Sequence, residues 1–216
     1  GFLVWDDIFR WFKSRERISA YSRIILTVSA VLVLGGTAVI AVSEWSNEAL
    51  LGSGNAGTKI LRSLFQSVTL RTAGFAAVDQ AALGEGTKLF SMILMFIGGN
   101  SGSTAGGIKL STLAIVGAST VSIIRGERET LIRRRRIDND TVRRAYALFA
   151  IGITVVAISG FALSAFEGVS LGDSFFEVFS AFGTVGITVG ITPTLSVFGK
   201  LLIICLMFFG RIGITS

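Results

Sequence analysis

Two short segments with the pattern Thr-x-Gly-x could coordinate an alkali-metal cation through their backbone alone. An ion such as potassium undergoes no covalent chemistry in a protein, and rings of backbone carbonyl oxygens can replace its hydration shell. Glycine suits such a ring because it adopts backbone angles that are closed to other residues, so successive carbonyl groups can point toward one axis. The spacing therefore predicts two filter segments, and the alternative is a plain glycine turn between interfacial helices. The candidate residues are Thr72, Ala73, Gly74 and Phe75 in one segment and Thr184, Val185, Gly186 and Ile187 in the other.

The two segments belong to an internal repeat with a constant offset of 112 residues. At this offset, residues 88–98 (KLFSMILMFIG) align with residues 200–210 (KLLIICLMFFG), and six of the eleven positions are identical. The same offset aligns TAGF at 72–75 with TVGI at 184–187 without a gap. Because one offset relates two separate motifs, a duplication explains the similarity better than a shared apolar composition does. The predicted unit is a helix, a pore loop and a second helix, present twice.

Long apolar stretches predict the helices that hold these segments, since a membrane-spanning helix needs about 20 apolar residues. Residues 24–43 and 145–166 contain no Asp, Glu, Lys or Arg and are predicted to be such spans. Residues 88–124 are too long for one straight span and contain a glycine-rich run, so they predict a broken span. A last span is predicted over residues 198–216, where the given sequence stops.

Two segments between these spans are too short, and too polar at their tips, to cross a membrane. They cover residues 58–78 and 173–192, and each contains one Thr-x-Gly-x segment. A short helix followed by extended backbone enters a membrane only where protein or a water-filled cavity satisfies its peptide groups. We therefore predict two re-entrant pore loops. The predicted fold class is an all-α membrane protein with two tandem helix/pore-loop/helix repeats, residues 24–124 and 145–216.

The composition of the chain argues against an enzyme. Of the 216 residues, 51% are hydrophobic and only 16% are charged, while His is absent and Cys occurs once. Disulfide scaffolds, zinc sites built from Cys and His, and Ser-His-Asp catalysis are therefore excluded within these residues. A membrane enzyme would also need an acid, a base or an activated nucleophile within its spans, and the predicted spans supply none. We predict a protein without catalytic residues.

Basic residues alternate between the two sides of the predicted spans. Residues 1–23 contain five Lys or Arg and residues 125–144 contain eight, whereas the other connecting segments contain fewer. By the positive-inside rule, both basic segments are predicted to be cytoplasmic. The basic loop contains four acidic residues and no interleaved aromatic residues, so a nucleic-acid partner is not expected.

The glycine-rich run GGNSGSTAGGIK predicts a non-helical loop inside the broken span. Its consecutive Gly, Ser, Asn and Thr residues disfavour a helix and offer mobile polar groups to a wet cavity. A phosphate-binding P-loop is excluded because Ile108 separates Gly107 from Lys109, whereas the P-loop pattern needs Lys directly after Gly. A packing surface of small residues between helices is the alternative.

Four motifs in a fixed order carry a resemblance to a known family. They are LFQSVTLRTAGF, FIGGNSGSTAGGIKLS, FSAFGTVGIT and MFFGRIG. In this order they resemble the pore-forming subunits of the bacterial Ktr/Trk potassium uptake systems, of the Trk/Ktr/HKT superfamily, most closely the KtrB type. The resemblance covers essentially the whole chain. Members of that family have four repeats, so the two repeats here would be the third and fourth, half of a potassium-channel-like pore, and we expect further sequence on both sides.

The resemblance implies roles at particular positions. The two Thr-x-Gly-x segments would be two of four filter segments, with Gly74 and Gly186 at the position that goes with potassium preference. Arg211 in the last span would contact a gate loop beneath the filter, and the alternative is an Arg that snorkels to the cytoplasmic interface. The implied gate residues are Gly98, Gly99, Asn100, Ser101, Gly102, Ser103, Thr104, Ala105, Gly106, Gly107 and Lys109.

The resemblance also implies a function and partners. The expected function is potassium translocation across a bacterial cell (inner) membrane, with sodium as an optional coupling or activating ion. The expected partners are a second copy of the pore subunit and a cytosolic, ring-forming subunit that binds nucleotides. Two transport alternatives stay open: the potassium-binding subunit of a pumping ATPase complex, and a sodium-selective relative, against which both glycines argue. A membrane packing module is the alternative outside transport, and it would not explain two re-entrant segments at one offset.

Overall fold

In the computed structural model, the described part of the chain comprises residues 2–14, 17–52, 55–100, 103, 105–127, 129–132 and 135–212. These residues are almost entirely helical, which confirms the predicted all-α class; the exceptions to helix and loop are two strands of two residues each. The helices are α1 (Phe2–Ser14), α2 (Ala20–Ser43), α3 (Glu48–Leu51), α4 (Ala56–Thr69), α5 (Glu85–Phe96), α6 (Leu110–Ile124), α7 (Asn139–Glu167), α8 (Leu171–Phe182) and α9 (Val197–Ile212).

The two longest helices, α2 and α7, are long and apolar enough to cross a membrane. The structure begins α2 four residues before the uncharged stretch at 24–43, where the side chain of Ser19 accepts a hydrogen bond from the Ser22 amide as an N-cap. It begins α7 at Asn139, inside the basic segment 125–144. Asp140 in the first turn favours this early start because its charge complements the helix dipole.

Between α6 and α7, the basic segment turns back on itself. Strand β1 (Leu131–Ile132) pairs with strand β2 (Arg135–Arg136) in an antiparallel ribbon. An ion pair of 2.8 Å joins the side chains of Arg136 and Glu129 on an exposed surface, where such a pair adds little stability. The ribbon therefore serves as a short connection between the two repeats.

Short helices α4 and α8 occupy equivalent places in the two repeats. Each begins at a capped residue: Asn55 accepts a hydrogen bond from the Thr58 amide, and Ser170 accepts one from the Asp173 amide. Helix α4 packs on α2, whereas α8 packs on α5, α7 and α9. Helix α8 is thus the element around which the two repeats assemble.

The core of the assembly is formed by aromatic and aliphatic side chains around α8. Phe176 and Phe182 are fully buried on this helix. The ring of Phe182 stacks on that of Phe96 at 5.7 Å between centroids, and Phe149 and Phe179 meet Phe96 edge to face. In a membrane, packing contacts of this kind supply much of the attraction between helices. They join the end of α5 to the end of α8.

At the end of each long helix, a carboxylate accepts hydrogen bonds from the start of a later helix. Glu44, which follows α2, accepts hydrogen bonds from the Gly84 amide at 3.0 Å and from the Thr87 hydroxyl at the start of α5. Glu167, at the end of α7, accepts hydrogen bonds from the Ser196 and Gly199 amides at 2.8 and 3.1 Å at the start of α9. Because a helix N-terminus carries unpaired amides and partial positive charge, each carboxylate fixes one helix against another.

Candidate functional site

The two Thr-x-Gly-x segments follow α4 and α8 and share the same unusual backbone. Thr72 and Gly74 have φ angles of 65° and 77°, and Thr184 and Gly186 have φ angles of 51° and 87°. These two threonines are the non-glycine residues with positive φ among the described residues. A β-branched residue seldom adopts this region because its side chain crowds the backbone. The same strained alternation of backbone angles is therefore built into both repeats.

Hydrogen bonds hold each segment against the helix before it. In the first segment, the Thr69 hydroxyl accepts a hydrogen bond from the Phe75 amide and donates one to the Phe75 carbonyl, both at 2.8 Å. In the second, the Thr184 and Val185 amides donate to carbonyl oxygens at the end of α8, at 3.0 and 2.9 Å. These bonds anchor both segments to the ends of α4 and α8, and one of them occupies the Phe75 carbonyl oxygen.

Gly74 lies directly against the second segment. A Cβ atom placed on Gly74 would lie 2.2 Å from the Val185 carbonyl oxygen, so a larger residue does not fit there. A Cβ atom on Gly186 would meet no atom within 4 Å. The structure therefore brings the eight predicted filter residues together as two adjacent segments, one of which is crowded and one open.

The described part of the predicted gate loop packs against the second segment. The Gly106 amide donates a hydrogen bond of 2.9 Å to the Thr184 hydroxyl. A Cβ atom on Gly106 would lie 2.4 Å from that hydroxyl oxygen, and one on Gly98 would lie 1.8 Å from the Gly106 carbonyl oxygen. The loop thus approaches the filter segment as bare backbone. Ser101, Gly102 and Thr104 lie outside the described residues.

The loop is closed at its neck by backbone pairing. The Gly98 amide donates to the Ile108 carbonyl at 2.9 Å, and the Ile108 amide donates to the Phe96 carbonyl at 3.0 Å. The Leu110 amide completes the neck with a 3.1 Å bond to the Gly99 carbonyl. Within the loop, the Ser103 hydroxyl donates to the Asn100 carbonyl at 2.6 Å. Gly107, with a φ of 68°, turns the chain back toward the neck.

Side chains also tie the loop to its surroundings. The buried Lys109 ammonium donates a 2.5 Å hydrogen bond to the Ala105 carbonyl, and the Tyr21 hydroxyl of α2 donates a 2.7 Å bond to the Asn100 side-chain oxygen. Arg211 lies in the last turn of α9, exposed within the chain, and its charge acts on Lys109. The neighbouring Gly210 lets α9 approach the end of α8, since a Cβ there would lie 1.9 Å from the Phe182 carbonyl oxygen.

Two further polar groups brace the chain just beyond the filter segments, and the sequence analysis missed both. Glu177 of α8 accepts hydrogen bonds from the Thr192 hydroxyl at 2.8 Å, the Val189 amide at 3.2 Å and the Thr188 hydroxyl. In the first repeat, Gln66 of α4 donates a 2.6 Å bond to the side-chain oxygen of Gln80. An acid inside the apolar run FFEVF is a signal that could have drawn attention to Glu177.

Within the described residues, no three His, Cys, Asp or Glu side chains converge as a metal site would require. The oxygens that the filter segments offer to a cation are those of backbone carbonyls and Thr hydroxyls. Such weak ligands suit an ion that passes through rather than one that stays.

Fold and site together define an all-helical membrane protein built from helix/pore-loop/helix repeats. Residues 11–216 match the TrkH family, whose members are described as cation transport proteins. The chain therefore belongs to the TrkH family of cation transporters, which confirms the resemblance at the level of the family and the expectation that the chain is not an enzyme.

Relatives agree with this family, and a solved structure shares the fold. The chain is 40% identical over 215 residues to Ktr system potassium uptake protein B of Bacillus subtilis, covering 99% of this chain and 48% of that protein. It is 38% identical over 220 residues to potassium/sodium uptake protein NtpJ of Enterococcus hirae, covering 100% of this chain and 48% of that protein. The crystal structure of the potassium transporter TrkH from Vibrio parahaemolyticus matches with a TM-score of 0.72 at 19% identity, over 89% of this chain and 42% of that one.

These matches cover part of each relative. The chain spans about half the length of the curated relatives it matches. Its two repeats therefore correspond to part of each relative.

Proposed function

We propose that this chain forms part of a pore that moves potassium across a bacterial cell membrane. The observation that carries the proposal is the duplicated backbone of the two Thr-x-Gly-x segments, with Thr and Gly in the left-handed region in both repeats. Because the strain recurs at equivalent positions, we attribute it to the arrangement of the carbonyl groups and not to one local turn. In this proposal the carbonyl oxygens of residues 72–75 and 184–187 replace water around the ion.

Potassium is the proposed main cargo, and sodium is a second ion that the pore carries or responds to. Support comes from glycine at both filter positions and from the names of two relatives, one a potassium uptake protein and one a potassium/sodium uptake protein. A sodium-selective transporter is the second candidate, and glycine at both filter positions argues against it. Relative uptake of the two ions separates these candidates.

The loop from Gly98 to Lys109, together with Arg211, is proposed as the gate. Support comes from the 2.9 Å hydrogen bond between the Gly106 amide and the Thr184 hydroxyl, through which the loop contacts the second Thr-x-Gly-x segment. Support for mobility comes from the glycines, which cost little to rearrange. Arg211 contributes a positive charge near Lys109, so a passing cation meets both a physical and an electrostatic barrier when the loop is closed.

The two repeats are proposed to be the third and fourth of four, and α4 supports this arrangement. Helix α8 packs on its own repeat and on α5 of the repeat before it, whereas α4 lacks an equivalent of α5 among the described residues. Its apolar side chains Leu61 and Phe65 stay exposed within the chain. A preceding repeat would cover them.

The proposed assembly follows from the basic segments and the Ktr relatives. Residues 1–23 and 125–144 are proposed to face the cytoplasm by the positive-inside rule. There they are available to a cytosolic nucleotide-binding ring subunit, as in a two-component Ktr system. We further propose that two pore subunits pair as a homodimer.

Rubidium uptake by the full-length protein tests this function. Bacteria that lack their own potassium uptake are transformed with the wild type, with Gly186→Ser and with a deletion of residues 102–106, and rubidium and sodium uptake are compared at matched expression. Gly186→Ser is the sharpest filter variant, because a Cβ at that position meets no atom within 4 Å. We expect Gly186→Ser to lower the preference for rubidium over sodium, and the deletion to raise flux.

The control is Gly168→Ser, because Gly168 at the end of α7 also has a positive φ, 66°, and a Cβ there also meets no atom within 4 Å, outside the filter segments. It is expected to transport like the wild type. A wild type that does not restore growth on low potassium, or a Gly186→Ser variant with unchanged ion preference, would overturn the proposed function and favour a membrane packing module.

A further inference from the structure

Helix α8 contains a carboxylate that is buried without an opposite charge. Glu177 is 4% exposed, and each of the ion pairs found among the described residues involves other side chains. Its oxygens accept three hydrogen bonds, from Thr188, Val189 and Thr192. Three donors stabilise the ionised form of a carboxylate. When it is ionised, Glu177 therefore places a negative charge inside the protein, and its three hydrogen-bond donors are all neutral.

This charge lies beside the second filter segment. Thr188 directly follows residues 184–187, and its hydroxyl is one of the three donors to Glu177. Glu177, Thr184 and Gly186 all line one cavity of about 310 Å³. The C-terminal end of α8, where the helix dipole is negative, also leads into the segment. Both features give the surroundings of this segment a negative potential.

The first repeat has a comparable brace without the charge, one position further along its pore helix, because Gln66 is the repeat equivalent of Val178 and Glu177 is that of Phe65. Gln66 on α4 reaches across to Gln80, which lies 112 residues before Thr192, the partner of Glu177. Both pairs join a pore helix to the chain beyond its filter segment. Because two neutral amides brace the first repeat, bracing alone does not require a carboxylate in the second.

We propose that Glu177 is a positioning residue that sets the affinity of the filter for cations through its charge. Its attraction for a cation in the neighbouring segment acts across protein of low dielectric constant, where charge effects reach further than in water. Gln66 has only the bracing role. This inference rests on the proposed function, since it concerns the affinity of the same filter.

The test is the concentration dependence of rubidium uptake by the full-length protein in liposomes. Glu177→Gln keeps the size of the side chain and an oxygen that accepts hydrogen bonds, and it removes the charge. We expect the KM for rubidium to rise by roughly tenfold, as for one charge acting through protein, while the maximum rate changes little. If Glu177 served only as a brace, Glu177→Gln would loosen the filter and would lower the maximum rate instead.

Glu44→Gln is the matched control. Glu44 is 3% exposed and also accepts hydrogen bonds from three groups, Gly84, Asn47 and Thr87, at the junction of α2 and α5. It differs from Glu177 in lying outside the filter segments. We expect Glu44→Gln to leave the KM unchanged, even if it lowers the amount of folded protein.

A carboxylate placed in the other repeat separates the effect of the charge from an effect of local structure. The double variant Gln66→Glu with Glu177→Gln places the carboxylate on α4, and we expect the KM to return toward the wild-type value. An unchanged KM in Glu177→Gln, an equal rise in Glu44→Gln, or no recovery in the double variant would each overturn the role of the charge. A wild type without rubidium uptake would overturn the proposed function itself, which is a distinct result.

Discussion

Thr72 and Thr184 are the residues at which the filter segments depart most from ordinary backbone geometry. Both are β-branched and both have positive φ, at 65° and 51°. A single outlier of this kind would be unremarkable in a turn, but two at an offset of 112 residues belong to the repeat. The pattern Thr-x-Gly-x predicted where these residues lie, because glycine at the third position is visible in the sequence. The strained angle of the threonine is a property of the folded backbone and was not predicted.

The two filter glycines are expected to differ in their tolerance of substitution. Gly74→Ala places a Cβ 2.2 Å from the Val185 carbonyl oxygen at a φ of 77°, whereas Gly186→Ala adds only the cost of a φ of 87°. That cost is about 1–2 kcal/mol for a left-handed residue. Thermal unfolding of the purified full-length variants in detergent should therefore show a larger loss of stability for Gly74→Ala. Equal losses, or a larger loss for Gly186→Ala, would contradict the crowded contact at Gly74.

Glu177 is a residue whose burial could not be predicted from the sequence alone. Its type and position are plain in the sequence, but its burial depends on residues 188–192 folding back over α8. That fold is a tertiary event, and composition or spacing along one helix does not report it. Lys109 is a similar case, since its bond to the Ala105 carbonyl depends on the closed loop.

At the scale of elements, the sequence predicted that a loop separates α5 from α6, but it did not predict how that loop is built. Consecutive glycines predicted a loop, since they oppose a helix. The pairing of Ile97 with Ile108 at the neck was not predicted, because two apolar residues flanking a loop have no pattern that specifies backbone pairing. The early start of α7 at Asn139 was missed for a different reason, since polar helix turns resemble loops in composition.

The contact between loop and filter should respond to removal of one hydroxyl. Thr184→Val keeps the branched shape and leaves the Gly106 amide without its acceptor at 2.9 Å. A buried amide without a partner costs about 1–3 kcal/mol, so the closed loop is destabilised. We expect a several-fold rise in basal rubidium flux through the full-length protein in liposomes. Thr184→Ser, which keeps the hydroxyl, serves as the control, and a Val variant with no greater flux than the Ser variant would contradict the role of this bond.

At the scale of the whole molecule, the two repeats are joined most closely through α8. Helix α5 of the first repeat packs on it, and Lys88 of α5 reaches Asp173 of α8 at 3.5 Å. The repeat equivalent of Lys88 is Lys200, which is exposed. The duplicated lysine thus lies at an interface in one copy and on an exposed face of this chain in the other. The offset predicted the tandem repeats, but it did not predict which copy of the lysine lies at the interface between them.

Loss of the Lys88 side chain should weaken the junction between the repeats. Lys88→Ala removes the contacts to Asp173 and Glu85, at 3.5 and 3.4 Å. Both pairs are partly exposed, so their joint contribution is about 1 kcal/mol, equivalent to a fall of about 2–4 °C in Tm. Arg143→Ala removes an exposed basic side chain near the start of α7, serves as the control and should leave Tm unchanged. A fall of equal size in both variants would show that Lys88 has no special place in the junction.

The neck of the loop makes the segment between α5 and α6 a self-contained cassette. Its two ends meet through the bonds of Gly98, Ile108 and Leu110, so the spacing of the helices on either side is set at the neck. We therefore expect insertions within residues 100–107 to leave the register of α5 and α6 unchanged, while they disturb the contacts of the loop with Tyr21 and Thr184. The neck thus separates the length of the loop from the geometry of the helices that carry it. An engineer can likewise exchange the cassette for a ligand-responsive peptide.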